Sequence, residues 1–348
     1  MSPRVLRNFA IALVVCILPF LAAEMTLRII FPDKVTGNTR IKTEELAYQF
    51  NEDYLVALKP DVSRYFERSI ANGSKIIHWS TNDNSFRGPA LMHDPGTRII
   101  VYGDSNIQAQ FSDYEKTFTY KLEQYLKSDG LNNVEAINAG VVGFGPDQSL
   151  IRFEKEADIY RPNLVILHIC TDNDFGDVLR DRLLEIDAHG NLVKTNFKRT
   201  VDKCLTTDYI YTLKNFMASL MIVRAINKVI RSFHGKEENN RIEVRERVLA
   251  GKTLQILRNV PADKIENISE DELKSIVVDE LQKRADEEYS VYKESKPQKF
   301  SHCDDHYDID LAIDPDEDSS KTKIMLMDSI LKEAKDVADS NCIYFLVV

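Results

Sequence analysis

Positive charge, disulfide-forming residues and long apolar runs are all scarce in this 348-residue chain. Its 45 basic residues are outnumbered by 55 acidic ones, for a net charge of −10, so nothing draws it by charge to nucleic acid or to an anionic membrane surface. The acid excess falls mostly after residue 230 and reads as a solvated face. No internal repeat or low-complexity tract is present, which removes repeat architectures. The lone tryptophan, Trp79, is expected to pack against the main domain rather than bind a sugar. What remains is an ordinary globular composition, 43% hydrophobic and 29% charged, long enough to bury a sizeable core.

The one long apolar run lies at the N-terminus. Arg4 and Arg7 precede the uncharged stretch from Phe9 to Ala23, and after Glu24 the apolar character resumes over Met25 to Phe31. The first part alone is short of the roughly 20 residues that span a bilayer, whereas both together suffice for a tilted helix. Leu21 before Ala23, or Phe20 before Ala22, makes a poor cleavage site, so residues 1–31 are expected to be an uncleaved anchor. The two arginines hold its start in the cytoplasm and put the remainder outside. Cys16 belongs to this segment, which leaves Cys170, Cys204, Cys303 and Cys342. Cys170 ends one strand pattern and Cys342 begins another, about a strand length apart (~17–20 Å), so they are not expected to pair. Cys204 and Cys303 remain, either bridged across an insertion or as two free thiols.

Residues 32–96 read as a stalk and an extended lead-in, and a strand and helix alternation begins at Arg98, as a parallel sheet requires. Three strand-like runs end on chemistry-bearing residues. Arg98-Ile-Ile-Val-Tyr-Gly-Asp-Ser105 lifts a serine out of a glycine turn. Val134-Glu-Ala-Ile-Asn-Ala-Gly140-Val-Val-Gly143-Phe-Gly145 ends on glycines that let a backbone N–H approach a carbonyl oxygen. Asn163-Leu-Val-Ile-Leu-His-Ile-Cys-Thr171-Asp-Asn173-Asp174 delivers an amide donor. In open α/β folds the carboxyl ends of the strands hold the reacting groups.

Ser, Gly and Asn at three successive strand ends, in that order, resemble the SGNH (GDSL-like) hydrolase superfamily. Gly103-Asp104-Ser105 is similar to its first block, Asn138 to Gly143 to its second and Thr171 to Asp174 to its third, while Asn82 to Gly88 resembles the lead-in of membrane-anchored bacterial members. The resemblance covers roughly residues 80 to 180 and the last strand. It implies a flavodoxin-like three-layer α/β/α fold around a parallel sheet, with Ser105 as nucleophile and the Gly143 N–H and Asn173 side chain as oxyanion donors. It implies no metal and no cofactor. Two departures stand out. Thr171 occupies a position that is usually glycine, and none of the seven histidines has Asp three residues before it, so the late Asp-x-x-His block that carries the base is absent. Because Ile343 to Val348 is a buried-type strand run at the end of the chain, the sequence reads as cut before that block. A natural chain without a base is the other reading.

The intervening helices are expected at Phe118 to Leu126, with Phe118, Leu122, Tyr125 and Leu126 on one apolar face, and from Gln148 to Tyr160 before Pro162. Residues 180–320 are taken as a mainly helical insertion within a domain spanning 97–348. It holds a short hairpin around His189-Gly190-Asn191, a helix from Tyr209 to Ser232, and another that Ser269 caps. His302-Cys303-Asp304-Asp305-His306 is dense in metal-type ligands but matches no standard closed zinc site, and reads as a polar loop. The expected function is a membrane-anchored, extracytoplasmic esterase acting on an acyl ester, such as an O-acetyl group on a cell-surface carbohydrate or lipid, and weak as this chain for want of a base. A non-catalytic binding or assembly protein, or an O-acyltransferase acting on a glycan, would use the same residues.

Overall fold

The structure, a computed structural model, describes residues 47–70, 73–195, 199–201, 269–294, 298–300 and 308–348, with residues 19 and 22–26 near the N-terminus. The chain divides into two compact units. One holds residues 1–43, 65–76 and 207–242, and the other, which carries every feature of the site below, holds 44–64, 77–206 and 243–348.

Two hairpins come first: β1 (Tyr48–Asn51) pairs antiparallel with β2 (Leu55–Leu58), and β3 (Ser63–Ile70) pairs with β4 (Gly73–Ser80). The central sheet follows from four β-branched or apolar runs: β5 (Thr97–Tyr102), β6 (Val134–Asn138), β7 (Leu164–Leu167) and β12 (Tyr344–Val347). All are parallel, in the order β12-β7-β5-β6, so the earliest strand lies inside and the chain winds outward from it in both directions. The register sets Val101 beside Asn138 and Tyr102 beside Leu167, which brings the carboxyl ends of β5, β6 and β7 level.

Alternation along β5 explains why both faces are covered. Ile99 and Val101 point to a buried cluster with Ile107, Val134, Ala136 and Ile166, against which Leu122 and Leu126 of α2 (Phe118–Ser128) pack. Tyr102, of opposite parity, meets Phe153 of α3 (Pro146–Tyr160) at 5.8 Å between ring centroids. The expected apolar face of α2 needs correction, because Phe118 and Tyr125 are exposed. The buried arc is turned toward Thr119, which is fully buried, and toward Glu123, whose carboxylate accepts the Ala136 N–H at 3.0 Å.

The expected hairpin around His189-Gly190-Asn191 is formed by β8 (Leu184–Ile186) and β9 (Leu192–Lys194), with Gly190 at φ +84°. A short parallel pair, β10 (Arg199–Val201) with β11 (Gln298–Phe300), brackets a stretch most of which lies outside the described residues. That stretch contains the expected helix from Tyr209 to Ser232 and Cys204. The anchor, except residues 19 and 22–26, the metal-type cluster from His302 to His306 and Cys303 also lie outside them. Within the stretch, helix α5 (Glu270–Lys293) begins where Ser269 accepts the Glu272 N–H at 3.2 Å. A five-residue helix α6 (Ile309–Ile313) and the long α7 (Asp318–Ser340) lead into β12. Among the described residues no helix is long and apolar enough to cross a membrane. Cys170 and Cys342 are both free thiols.

Candidate active site

Ser105 is exposed and opens α1 (Ser105–Gln108), a single turn entered directly from β5 through Gly103 and Asp104. Asp104 is buried and caps the turn, its Oδ1 accepting the Asn106 N–H at 2.8 Å. The ladder continues past the strand ends: Val141 N–H donates to the Gly103 carbonyl at 3.0 Å, and His168 N–H to the Tyr102 carbonyl at 3.0 Å. The serine junction is therefore flanked by the Val141–Gly143 loop on one side and by His168 on the other. A Cβ on Gly103 would lie 2.7 Å from Ile107 Cγ1 and 3.0 Å from His168 Cβ, so only glycine lets α1 and β7 close on this point.

Packing fixes α1 from below. A Cβ on Gly140 would come within 2.3 Å of the Gln108 backbone nitrogen, which is how closely the second loop approaches the first. Asn138 spans the same gap, its amide donating to the Ile107 carbonyl at 2.7 Å while its oxygen accepts the Gly140 N–H at 3.1 Å. The buried Gln108 side chain accepts from the Val142 N–H and is held by the Tyr48 hydroxyl. Arg87, from the lead-in, donates to the carbonyls of Gln108, Ala109 and Ser112 at the far end of the turn, and its own N–H bonds to Asn138 at the β6 edge. Burial pushes the Arg87 guanidinium down to about 10.

The second loop turns on Gly143, whose φ of +72° is the left-handed conformation that a turn of this kind reserves for glycine. Phe144 N–H closes the turn onto the Val141 carbonyl at 3.1 Å. Neither the Gly143 N–H nor the Ser105 N–H has a hydrogen-bond partner among the described residues.

Asn173 is the N-cap residue of α4 (Asp174–Asp181), beyond the end of β7. Its amide nitrogen donates to Asp177 Oδ2 at 2.7 Å and lies 3.5 Å from Asp174 Oδ1. Asp177 is also 3.1 Å from the Arg180 guanidinium, which in turn donates to the Gly143 carbonyl at 2.6 Å. A continuous path of polar contacts thus runs from Asn173 through Asp177 and Arg180 to Gly143 and ties the second and third strand-end segments together. Thr171, in the glycine position of the resemblance, is exposed and has no positive φ, so its backbone makes no demand for glycine.

Asp174 is buried, and burial first, then the charges of Asp104, Asp177 and Asp308, push its carboxyl well above the ordinary range. It accepts the Cys170 N–H at 2.7 Å. Asp308, the buried N-cap residue of α6, accepts the Phe175 N–H at 3.0 Å and faces the fully buried Lys323 of α7 at 3.3 Å. Residues 171 to 175 are so anchored to the far end of the chain.

Reading the sequence did not single out Asp177, Arg180, Gln108 or His168. The first two were visible as a spacing, because Asn173, Asp177 and Arg180 fall at i, i+4 and i+7 on one helix face. Gln108 and His168 matter only through contacts between segments far apart in the chain. Among the described residues no group of His, Cys, Asp or Glu is arranged to hold a metal ion.

No family model matches the chain, and no curated protein does. Among solved structures it is similar to AlinE4, an SGNH-hydrolase family esterase, at 30% identity over 26% of this chain and 44% of that one, with a TM-score of 0.21. Two mutants of the same esterase match over the same shares and at the same score, with 30% and 28% identity. This chain thus spans less than half the length of the structures it matches, and at that score the superposition carries no argument of its own.

Proposed function

We propose that this protein is an SGNH-type serine esterase that cleaves an acyl ester, with a short group such as O-acetyl on a carbohydrate or lipid as its substrate class. The observation that carries the reading is the pairing of an exposed Ser105 at a strand end with N–H groups of Ser105 and Gly143 on adjacent elements that have no hydrogen-bond partner among the described residues. Preorganised N–H donors beside a nucleophile stabilise the oxyanion of an acyl-transfer intermediate. Asn173 would add a third donor: Asp177 holds its amide nitrogen at 2.7 Å, and the longer contact to Asp174 at 3.5 Å is the one a substrate oxygen would replace. The 2-1-3-4 winding order of the sheet is the flavodoxin-like order that the resemblance implies. We place the chain at the outer face of a membrane, held by residues 1–31.

Hydrolysis of a graded series of p-nitrophenyl acyl esters by wild type and Ser105→Ala tests this. Turnover favouring the shortest acyl groups and lost in the variant is expected. Equal turnover by both would leave Ser105 without a role. Incubation with a glycan acceptor separates transfer from hydrolysis by the product formed, and binding of an acylated glycan with no turnover of any ester would point to the non-catalytic alternative.

A further inference from the structure

We propose that Arg180 is the positioning residue of the oxyanion site, its guanidinium fork holding the Gly143 loop and the Asn173 amide in register as one unit. The inference rests on the esterase reading and concerns how the donors of that site are set. Each arm of the fork has its own partner. Nη2 donates to the Gly143 carbonyl at 2.6 Å, and Nη1 lies 3.1 Å from Asp177 Oδ1, while the other carboxylate oxygen of Asp177 accepts from the Asn173 amide at 2.7 Å. Asp181 takes the remaining edge, Oδ1 accepting from Nε at 2.6 Å and Oδ2 from Nη2 at 2.9 Å, which fixes the plane of the guanidinium. The three side chains are nearly out of solvent, at 7%, 2% and 0% exposure for Arg180, Asp177 and Asp181.

The peptide between Val142 and Gly143 carries the N–H donor, and it is pinned through its neighbours. Before it, the Val142 N–H donates to the Gln108 side chain. After it, the Phe144 N–H bonds to the Val141 carbonyl at 3.1 Å and Arg180 takes the Gly143 carbonyl. A left-handed glycine in a turn lets the preceding peptide flip, and a flip reverses the direction of its N–H. Arg180 supplies one of the restraints against that flip, and through Asp177 it orients the second donor as well. Gly145 makes the contact possible: a Cβ there would lie 2.8 Å from Asp147 Oδ1 and 3.1 Å from Asp181 Oδ2, so glycine lets the loop come down onto the carboxylate that holds the fork. Lysine is no substitute, because an ammonium is a single point of charge, whereas the planar fork meets Gly143 and Asp177 at once.

The test is phosphonylation of Ser105 in the full chain by a fluorophosphonate, with the maximal rate and the half-saturating probe concentration measured separately. Arg180→Lys should lower the maximal rate about 10²-fold, the scale of a misplacement of about 1 Å, and leave half-saturation unchanged, because the donors act on the tetrahedral adduct as it forms. Ile330→Val, a destabilised core variant, should label at the wild-type rate, which separates positioning from loss of stability. In an Asn173→Ala background the same Arg180→Lys change should slow labelling by about 10-fold at most, since only Gly143 is left to orient. If Arg180→Lys does not fold, Asp177→Asn, which keeps an oxygen for the Asn173 amide and loses the charge facing Arg180, is judged instead: it should slow labelling, and Asn173→Ala should abolish that effect. An unchanged maximal rate in the folded variant, or the same fold-change in rate with and without Asn173, would overturn the positioning role while leaving the esterase reading intact. Failure of the probe to label wild-type Ser105, or equal labelling of Ser105→Ala, would defeat the esterase reading itself and this inference with it.

Discussion

Two single residues decide how tightly the serine turn is held. Gly140 stands where any side chain would meet the Gln108 backbone at 2.3 Å, and backbone cannot swing away as a flexible side chain would. Gly140→Ala should therefore lose about 1–3 kcal/mol, the usual cost of overpacking, measurable as a lower urea midpoint with unchanged slope. Asp174 makes a different kind of prediction. Its carboxyl is raised in the folded state, so the folded protein prefers it protonated, and the stability it contributes is full below the ordinary aspartate range and is lost as pH rises through the raised value. Asp174→Asn keeps an oxygen for the Cys170 N–H and removes the charge, so the melting temperature should fall less between acid and neutral pH than in wild type. A variant with the same slope as wild type would show that Asp174 is not the titrating group. Residues of this sort explain what the sequence could and could not reveal. The places of Ser105, Gly143 and Asn173 beyond the strands were legible because each ends a strand pattern. Gln108 and His168 were not, because their contacts are with segments far apart in the chain and no spacing announces them.

At the scale of elements, α1 shows how a four-residue helix is held in place. Its carbonyl end is closed by the buried guanidinium of Arg87 and its flank by Asn138 and Gln108, so the Asn82 to Gly88 lead-in is part of the site's frame. Arg87→Met should cost about 1.5–3 kcal/mol, the range for a hydrogen bond to a charged group, and should slow phosphonylation of Ser105 by a fluorophosphonate more than a core variant destabilised to the same extent does. The turn ends on Ala109, whose φ of +47° is left-handed, and α3 and α4 end the same way on Arg161 and Arg182. Since none of the three is glycine, Ala109→Gly should raise stability by up to about 1 kcal/mol, read as a higher melting temperature. The same fact explains why helix ends were hard to read: the usual glycine signal is missing, and only Pro162 marked the end of α3. The type of each long element was easier, because the strand-like run of β5 and the Ser269 cap of α5 are local properties. The inward arc of α2 was misread because Thr119 and Glu123, polar by type, carry burial that sequence periodicity assigns to Phe118 and Tyr125.

For the whole molecule, the parallel sheet has two differently treated edges. The β6 edge is bridged by Arg87, whereas among the described residues β12 pairs only with β7 and keeps Tyr344, Leu346 and Val347 exposed. The strand alternation made a parallel sheet legible from the chain, and the winding order follows from the resemblance. Asp308, more than 130 residues on, braces the Asn173 segment through the Phe175 N–H and Lys323, a long-range tie that no local pattern encodes. Our placement at a membrane belongs to this scale. Carbonate extraction should leave the protein in the membrane fraction, and protease added to spheroplasts should reach Ser105, whereas release as a soluble chain starting near Glu24 would show cleavage instead. Whether Ser105, Gly143 and Asn173 act on one carbonyl oxygen is decided by a crystal structure of the protein phosphonylated with a fluorophosphonate. An adduct on Ser105 Oγ is expected, with its phosphoryl oxygen accepting from the Ser105 N–H, the Gly143 N–H and the Asn173 amide at about 2.7–3.1 Å. An adduct on another residue, or a phosphoryl oxygen turned to solvent away from Gly143 and Asn173, would contradict it.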